Sequence, residues 1–363
     1  MLRYSSLSKN DTNILKGFSL LLIMLHNYYH IIPPIPGQNE FAYHEGAFDN
    51  FLFLIKTTPF DFIRHSFSYL GHYGVTIFIF TSAYGLFASY KNKNIVYWDF
   101  LKTRILKLYP TLLIVVLLLI LFISIYKGGL PVASKLNSLL LKLTLVFNFL
   151  PGEALEVDGP LWFFSVIVQL YALFPLLKYI TKKYGENSML IISCLMVVVN
   201  MLINPILVKN DLSTYFLFTG RIPVFCLGIY FAARPDISIR PVLFVMATAV
   251  FLWSNTNQYV WHLSFLSFTI IILSLFILIK PLAKKPSKLS LFLAYTGSIS
   301  LSLFAVHGMV RFPFEVLAEK YAQPAITSMI ALAFLFFVYI AGWVIRLLEH
   351  KVQQYIAGAA INK

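Results

Sequence analysis

Charge is what this 363-residue chain has least of: 12% of its residues are Asp, Glu, Lys or Arg, and 59% are hydrophobic. A soluble domain carries about 25% charged residues, so a soluble globular protein is excluded. Cysteine is scarce as well. Cys194 and Cys226 both fall inside apolar runs and show no metal or redox spacing, which excludes a disulfide framework and predicts two packing residues. No His-Glu-x-x-His motif occurs, and His26 and His30, four apart on one helical face, have no third ligand placed beside them, so no metal is predicted. The polar start MLRYSSLSKNDTN leads into an apolar run with no small-residue cleavage site, and the run is read as a retained first span. Fixed-period repeats and low-complexity tracts are missing, and so are the paired broken helices of an inverted-repeat transporter.

Long apolar runs are what the chain does have. They fall at 13–32, 70–90, 106–126, 161–180, 188–207, 213–233, 239–256, 260–280, 290–311 and 325–347, each near the roughly 20 residues that a bilayer requires. The prediction is an all-α integral membrane protein, one membrane domain over residues 1–363 with about ten transmembrane helices. The shorter run at 136–150 contains Lys142 and is read as an extra interfacial or re-entrant helix. With the amino terminus inside, 20 Lys and Arg residues fall on the inner side and 8 on the outer, while Arg221 stays within a span. This is the positive-inside rule. It accounts for the formal charge of +14 without a nucleic-acid partner and predicts that both termini are cytoplasmic. The two longest outer segments, 33–69 and 127–160, hold most of the outer acids and are expected to be ordered loops with helical pieces.

Three ionisable residues are expected at membrane depth, where a charged side chain costs about 2.5–3.5 kcal/mol on insertion scales. His26 lies ten residues beyond Lys16, about 15 Å of helical rise. Arg221 is eight residues, roughly 12 Å, from the outer end of its expected span, and His307 is about 6 Å below the outer end of the span at 290–311. Each histidine has a plainer alternative as a residue of the interfacial aromatic belt, which Tyr28 and Tyr29 would supply next to His26. Arg104 and Lys107, three apart before Tyr109 and Pro110, read either as a topological anchor or as a phosphate-gripping mouth.

Four segments in order then resemble the acyltransferase-three family of bacterial multi-pass membrane acyltransferases, which acylate sugars of cell-surface glycans. They are KGFSLLLIMLHN; GHYGVTIFIFTSAYGLFASY followed by FLKTRILKLYP; GPLWFFSVIVQLYALFPLL, with Trp162, Phe163, Ser165, Gln169, Tyr171, Phe174 and Pro175 in the family's positions; and GRIPVFCLGIYFA with SISLSLFAVHG. The family pattern sets ten residues between its first basic residue and its histidine. Here nine separate Lys16 from His26, so Asn27 holds that position and either residue could face the cavity. Ile167 and Val168 stand where the family often has acids, and Ala83 follows Ser82 where it has glycine.

The resemblance implies a bacterial inner-membrane enzyme that takes an acyl group, acetyl before succinyl, from cytoplasmic acyl-CoA to a polysaccharide or lipid-linked sugar. His26, Arg221 and His307 are then the expected catalytic residues, with His26 as general base. Lys16, Arg104, Lys107 and Tyr109 would bind the donor. Asn27, Ser82, Trp162, Gln169 and Tyr171 would meet the acceptor. A transporter or flippase of a lipid-linked sugar is the second reading, because Arg and His at membrane depth also serve substrate and proton sites.

Overall fold

A helix satisfies its backbone hydrogen bonds within its own segment, which suits a chain with so little polar surface, and most of the described residues are helical. The computed structural model describes residues 2–3, 6–34, 39–127, 132–234, 238–239, 241–280, 285–321 and 323–361. Of the inner cations, Arg240, Lys284 and Lys363 lie outside the described residues. The helices are α1 (Lys9–Tyr29), α2 (Ala47–Thr57), α3 (Phe62–Leu70), α4 (Gly74–Tyr90), α5 (Tyr97–Lys127), α6 (Ala133–Lys142), α7 (Trp162–Tyr184), α8 (Asn187–Val208), α9 (Phe218–Ala233), α10 (Pro241–Ser254), α11 (His262–Ile279), α12 (Lys288–Ser298), α13 (Ser300–Lys320) and α14 (Pro324–Ile361). The described strands are a two-residue antiparallel pair, Leu2–Arg3 with Ser238–Ile239.

The described residues contain seven helical segments long and apolar enough to cross a membrane, so the expectation of ten is met only in part. The first, sixth and seventh expected spans form helices outside that set. The first of them, α1, carries Lys9, Asp11 and Lys16. α9 and α10 are only 16 and 14 residues long. The ninth expected span, 290–311, is broken. Ile299 leaves the helical region at φ −112°, ψ 17° and separates α12 from α13, so His307 lies in the interior of a helix that runs on to Lys320. The run at 136–150 forms the ten-residue α6 and a turn at Phe147–Phe149, too short to span.

The chain forms two compact units, one of Met1–Ile95 with Leu173–Ser298, the other of Val96–Ala172 with Ile299–Lys363. In the first, α1 packs against α12, α4 and α3, while α9 packs between α4 and α8. α1 begins at a capping box, where Asp11 N–H donates to Ser8 Oγ at 3.2 Å and Ser8 N–H donates to Asp11 Oδ2 at 2.8 Å. In the second, α5, α13 and α14 pack on one another. Apolar stripes recur at helical spacing on exposed faces, such as Ile191, Leu195, Val198 and Leu202 on α8 and Leu332, Phe336 and Trp343 on α14. Such faces suit lipid. Cys226 is buried as expected, but Cys194 lies on the exposed side of α8, so only one of the two is a packing residue.

Glycines set the spacing of α1 and α12. A Cβ on Gly297 would collide with the Asn13 carbonyl, and one on Gly17 would collide with the Leu293 carbonyl. Gly297→Ala is therefore expected to destabilise the protein by at least about 1–3 kcal/mol through overpacking, measured as an earlier loss of the monodisperse chromatographic peak on heating.

Candidate active site

His26 occupies the last turn of α1 and is 3% exposed. Its Nδ1 sits 2.9 Å from the Ser68 carbonyl. A carbonyl oxygen only accepts, so Nδ1 carries the hydrogen and the neutral ring presents Nε2 as a proton acceptor. Nε2 lies 3.9 Å from Oε2 of Glu40, a carboxylate 7% exposed. His30 and His72 complete the wall, with ring centroids 4.7 and 5.3 Å from His26. Asn27, one residue and about 100° further round the helix, is only partly buried. It is His26 that faces this cluster.

The sequence GHYG, residues 71–74, makes the approach possible. A Cβ on Gly71 would lie 2.6 Å from both His26 Cβ and the Leu22 carbonyl, and one on Gly74 would lie 2.5 Å from the Ser19 carbonyl. His72, held between them and 1% exposed, has no hydrogen-bond partner at either ring nitrogen among the described residues. At the chain's exit from α1, the buried Arg64 ties Pro33 to Asp61, with Nη1 donating to the Pro33 carbonyl at 2.7 Å and Nη2 meeting Asp61 Oδ2 at 2.5 Å.

Arg221 enters from the first turn of α9, not from eight residues inside a continuous helix. The chain before it turns because Asn204 Oδ1 accepts from Ser213 Oγ, Thr214 N–H and Thr214 Oγ1 at 2.9 to 3.0 Å. Its Nε donates to the Tyr215 carbonyl at 3.0 Å, and its guanidinium lies over the Tyr215 and Phe265 rings at 5.0 and 5.9 Å. Its charge reaches both Glu40 and His72. Burial raises the Glu40 carboxyl to about 7, and Arg221 opposes that rise. Tyr215 is held in turn by a 2.6 Å hydrogen bond between its hydroxyl and His262 Nδ1.

The other expected residues distribute as follows. Lys16 is half-buried on α1, and Ser82 is half-buried on α4. The second unit holds His307, which is fully buried with Nδ1 2.6 Å from the Phe304 carbonyl. There too, Arg104 stacks between Phe100 and Tyr171, 5.4 and 5.8 Å from the ring centres, while Lys107 is exposed and Tyr109 half-buried. Trp162 and Tyr171 are nine residues apart on α7, roughly 13 Å, and do not form one stacking surface. Gln169 and Ser165 instead brace a loop: Gln169 Nε2 donates to Ser165 Oγ at 3.1 Å, and that hydroxyl donates to the Leu145 carbonyl at 2.7 Å. Asn148 adds a bond to the Trp162 carbonyl at 2.8 Å. Lys142, fully buried, donates to the Glu153 and Ala154 carbonyls at 2.5 and 3.2 Å and covers Phe147. Burial lowers its ammonium to about 8, against the carboxylates of Glu153, Asp158 and Glu156.

Glu40 and His72 were not singled out in the sequence. Glu40 is one of several acids in a long loop, and only folding brings it to His26; His72 could have been suspected from the flanking glycines. Gly71→Ala is expected to cost about 1–3 kcal/mol by overpacking and to shift the His26 imidazole resonances, read by thermal melting and by NMR of histidine-labelled protein.

The sequence model of the acyltransferase domain of the acyltransferase 3 family matches residues 10–347. No curated protein and no solved structure matches the chain. With nearly its whole length matched and with apolar helices recurring from end to end, the chain is a multi-pass membrane protein that belongs to the acyltransferase 3 family.

Proposed function

We propose that this protein is a membrane-embedded O-acyltransferase of the bacterial inner membrane that moves an acetyl group from cytoplasmic acyl-CoA to a hydroxyl of a cell-surface polysaccharide or lipid-linked sugar. The observation that carries the reading is the His26 ring, anchored at Nδ1 and presenting Nε2 across 3.9 Å to Glu40. That gap exceeds a direct hydrogen bond and leaves room for an acceptor hydroxyl that donates to Nε2. In the proposed reaction the acceptor O–H gives its proton to Nε2, and its oxygen attacks the thioester carbonyl. The tetrahedral intermediate then collapses with cleavage of the C–S bond, and the imidazolium returns the proton to the departing thiolate. Ionised Glu40 stabilises the imidazolium, and Arg221 stabilises the oxyanion in a site of low dielectric. Arg104, Lys107 and Tyr109 on α5 are the proposed readers of the donor's phosphates from the cytoplasmic side, and Lys16 on α1 is a separate proposed donor contact. Both termini are then cytoplasmic, in keeping with the charge asymmetry of the loops.

Purified protein given labelled acetyl-CoA and a sugar acceptor tests the reading. Covalent transfer of label supports it, and movement of unlabelled acceptor across a vesicle would instead identify a flippase. His26→Ala is expected to lose about 10²–10⁴-fold in transfer rate, the usual worth of a general base. Transfer at matched protein levels by that variant would remove His26 from the role.

The rate should also depend on pH through Glu40. Its carboxyl is raised to about 7 in the folded protein, so the ionised form that supports the imidazolium grows as pH rises through 7, and activity rises with it. Stability moves the other way. The folded state holds this proton more tightly than the unfolded chain between the ordinary carboxyl value and 7, so Glu40's contribution to stability is present at low pH and is lost as pH climbs through that window. Glu40→Gln should abolish the acid limb near pH 7 in the rate profile and flatten the melting temperature across the same range.

A further inference from the structure

The second unit holds an open cleft of about 200 Å3 between the C-terminal end of α5, the turn into α7 and the middle of α13. A cavity of about 150 Å3 holds one benzene ring, so this one takes a single six-membered ring with small substituents. Its apolar wall carries Phe122, Tyr126 and Phe312. Tyr126 and Phe122 stand edge-on to Phe312, with centroids 5.3 and 6.2 Å away.

The opposite pole carries Asp158, Arg311 and Glu315. Arg311 and Glu315 answer each other as an i,i+4 ion pair. Asp158 is different. It is 5% exposed, its Oδ1 packs where a Cβ on Gly308 would have to go, and its Oδ2 makes no hydrogen bond among the described residues. A buried acceptor left without a donor is destabilising, and burial pushes the Asp158 carboxyl up to about 6 although Arg311 and Lys142 oppose the rise. A ligand that donates one hydrogen bond to Oδ2 removes this cost.

We propose that the cleft is a binding site for one pyranose ring, whose hydroxyl donates to Asp158 Oδ2 and whose C–H face lies on the Phe122, Tyr126 and Phe312 wall. Size, wall and pole each restrict the ligand. A plain aromatic ring would fill the volume but leave Asp158 unanswered. An amine would answer Asp158 and the aromatic faces as well, so it is the competing ligand that the test must separate. A pyranose is neutral, is apolar on its axial C–H face, and carries hydroxyls that both donate and accept. With the proposed orientation, these helix ends face outward. That the ring belongs to the acceptor glycan rests on the acyl-transfer reading above; that a pyranose binds does not.

Saturation-transfer NMR on the full chain, in nanodiscs free of glycoside detergent, tests the site. The probes are the methyl α- and β-pyranosides of glucose, galactose and mannose, with phenethylamine as a cationic counter-probe. Wild-type protein should transfer saturation to the ring protons of at least one pyranoside. Asp158→Ala, which deletes the acceptor, should weaken that binding about tenfold, the worth of one buried hydrogen bond. Ile123→Trp fills the cleft from its apolar side and should abolish the signal; it decides alone if the Asp158 variant fails to fold. Absence of a pyranoside signal in wild type, an unchanged signal in the variants, or preference for phenethylamine over every pyranoside overturns the proposal. Pyranoside binding by a protein that never transfers label upholds the site and overturns the acyl-transfer reading alone.

Discussion

Four glycines let other backbones come into contact with α1: Gly17 of the helix itself and Gly297 at its crossing with α12, Gly71 and Gly74 where α3 turns into α4. Lipid tails are as apolar as leucine, so helices in a membrane gain little from burying apolar faces against each other and depend on close van der Waals contact between small residues. That contact fixes the geometry around His26. The Ser68 carbonyl can anchor Nδ1 only because Gly71 brings its segment within a side chain's width of α1.

Several buried polar side chains of the first unit answer one another. Arg64 holds the Pro33 carbonyl and Asp61. Tyr69 and Tyr73 both donate to Asn255, at 2.9 and 3.0 Å. Arg221 is held by the Tyr215 carbonyl and stacked on two rings. His26 Nε2, by contrast, faces Glu40 beyond hydrogen-bond range, and neither ring nitrogen of His72 has a hydrogen-bond partner among the described residues. A buried polar atom without a partner calls for an explanation, and a substrate that supplies the partner is one. Asp158 Oδ2 is one such atom in the second unit.

Helix content, membrane class and family were all legible in the sequence, because hydropathy, charge asymmetry and motif order are properties of the chain read residue by residue. The number of crossing helices was less so. Length and apolarity alone could not foresee that Ile299 would divide the ninth run, or that Asn204 would turn the chain at Thr214 and leave Arg221 in the first turn of a short helix. Both breaks depend on side chains and backbone geometry that a hydropathy window does not weigh.

Residue spacing alone fixed His26 about 15 Å along the first helix from Lys16, since ten residues of helical rise separate the two. Which of His26 and Asn27 meets the buried Glu40 and His72 depends on the fold, because it turns on which face of α1 packs against Gly71 and Ser68. Glu40 lies 14 residues further along in a loop, and no periodicity connects it to the helix. Only the folded chain brings the carboxylate and the imidazole together.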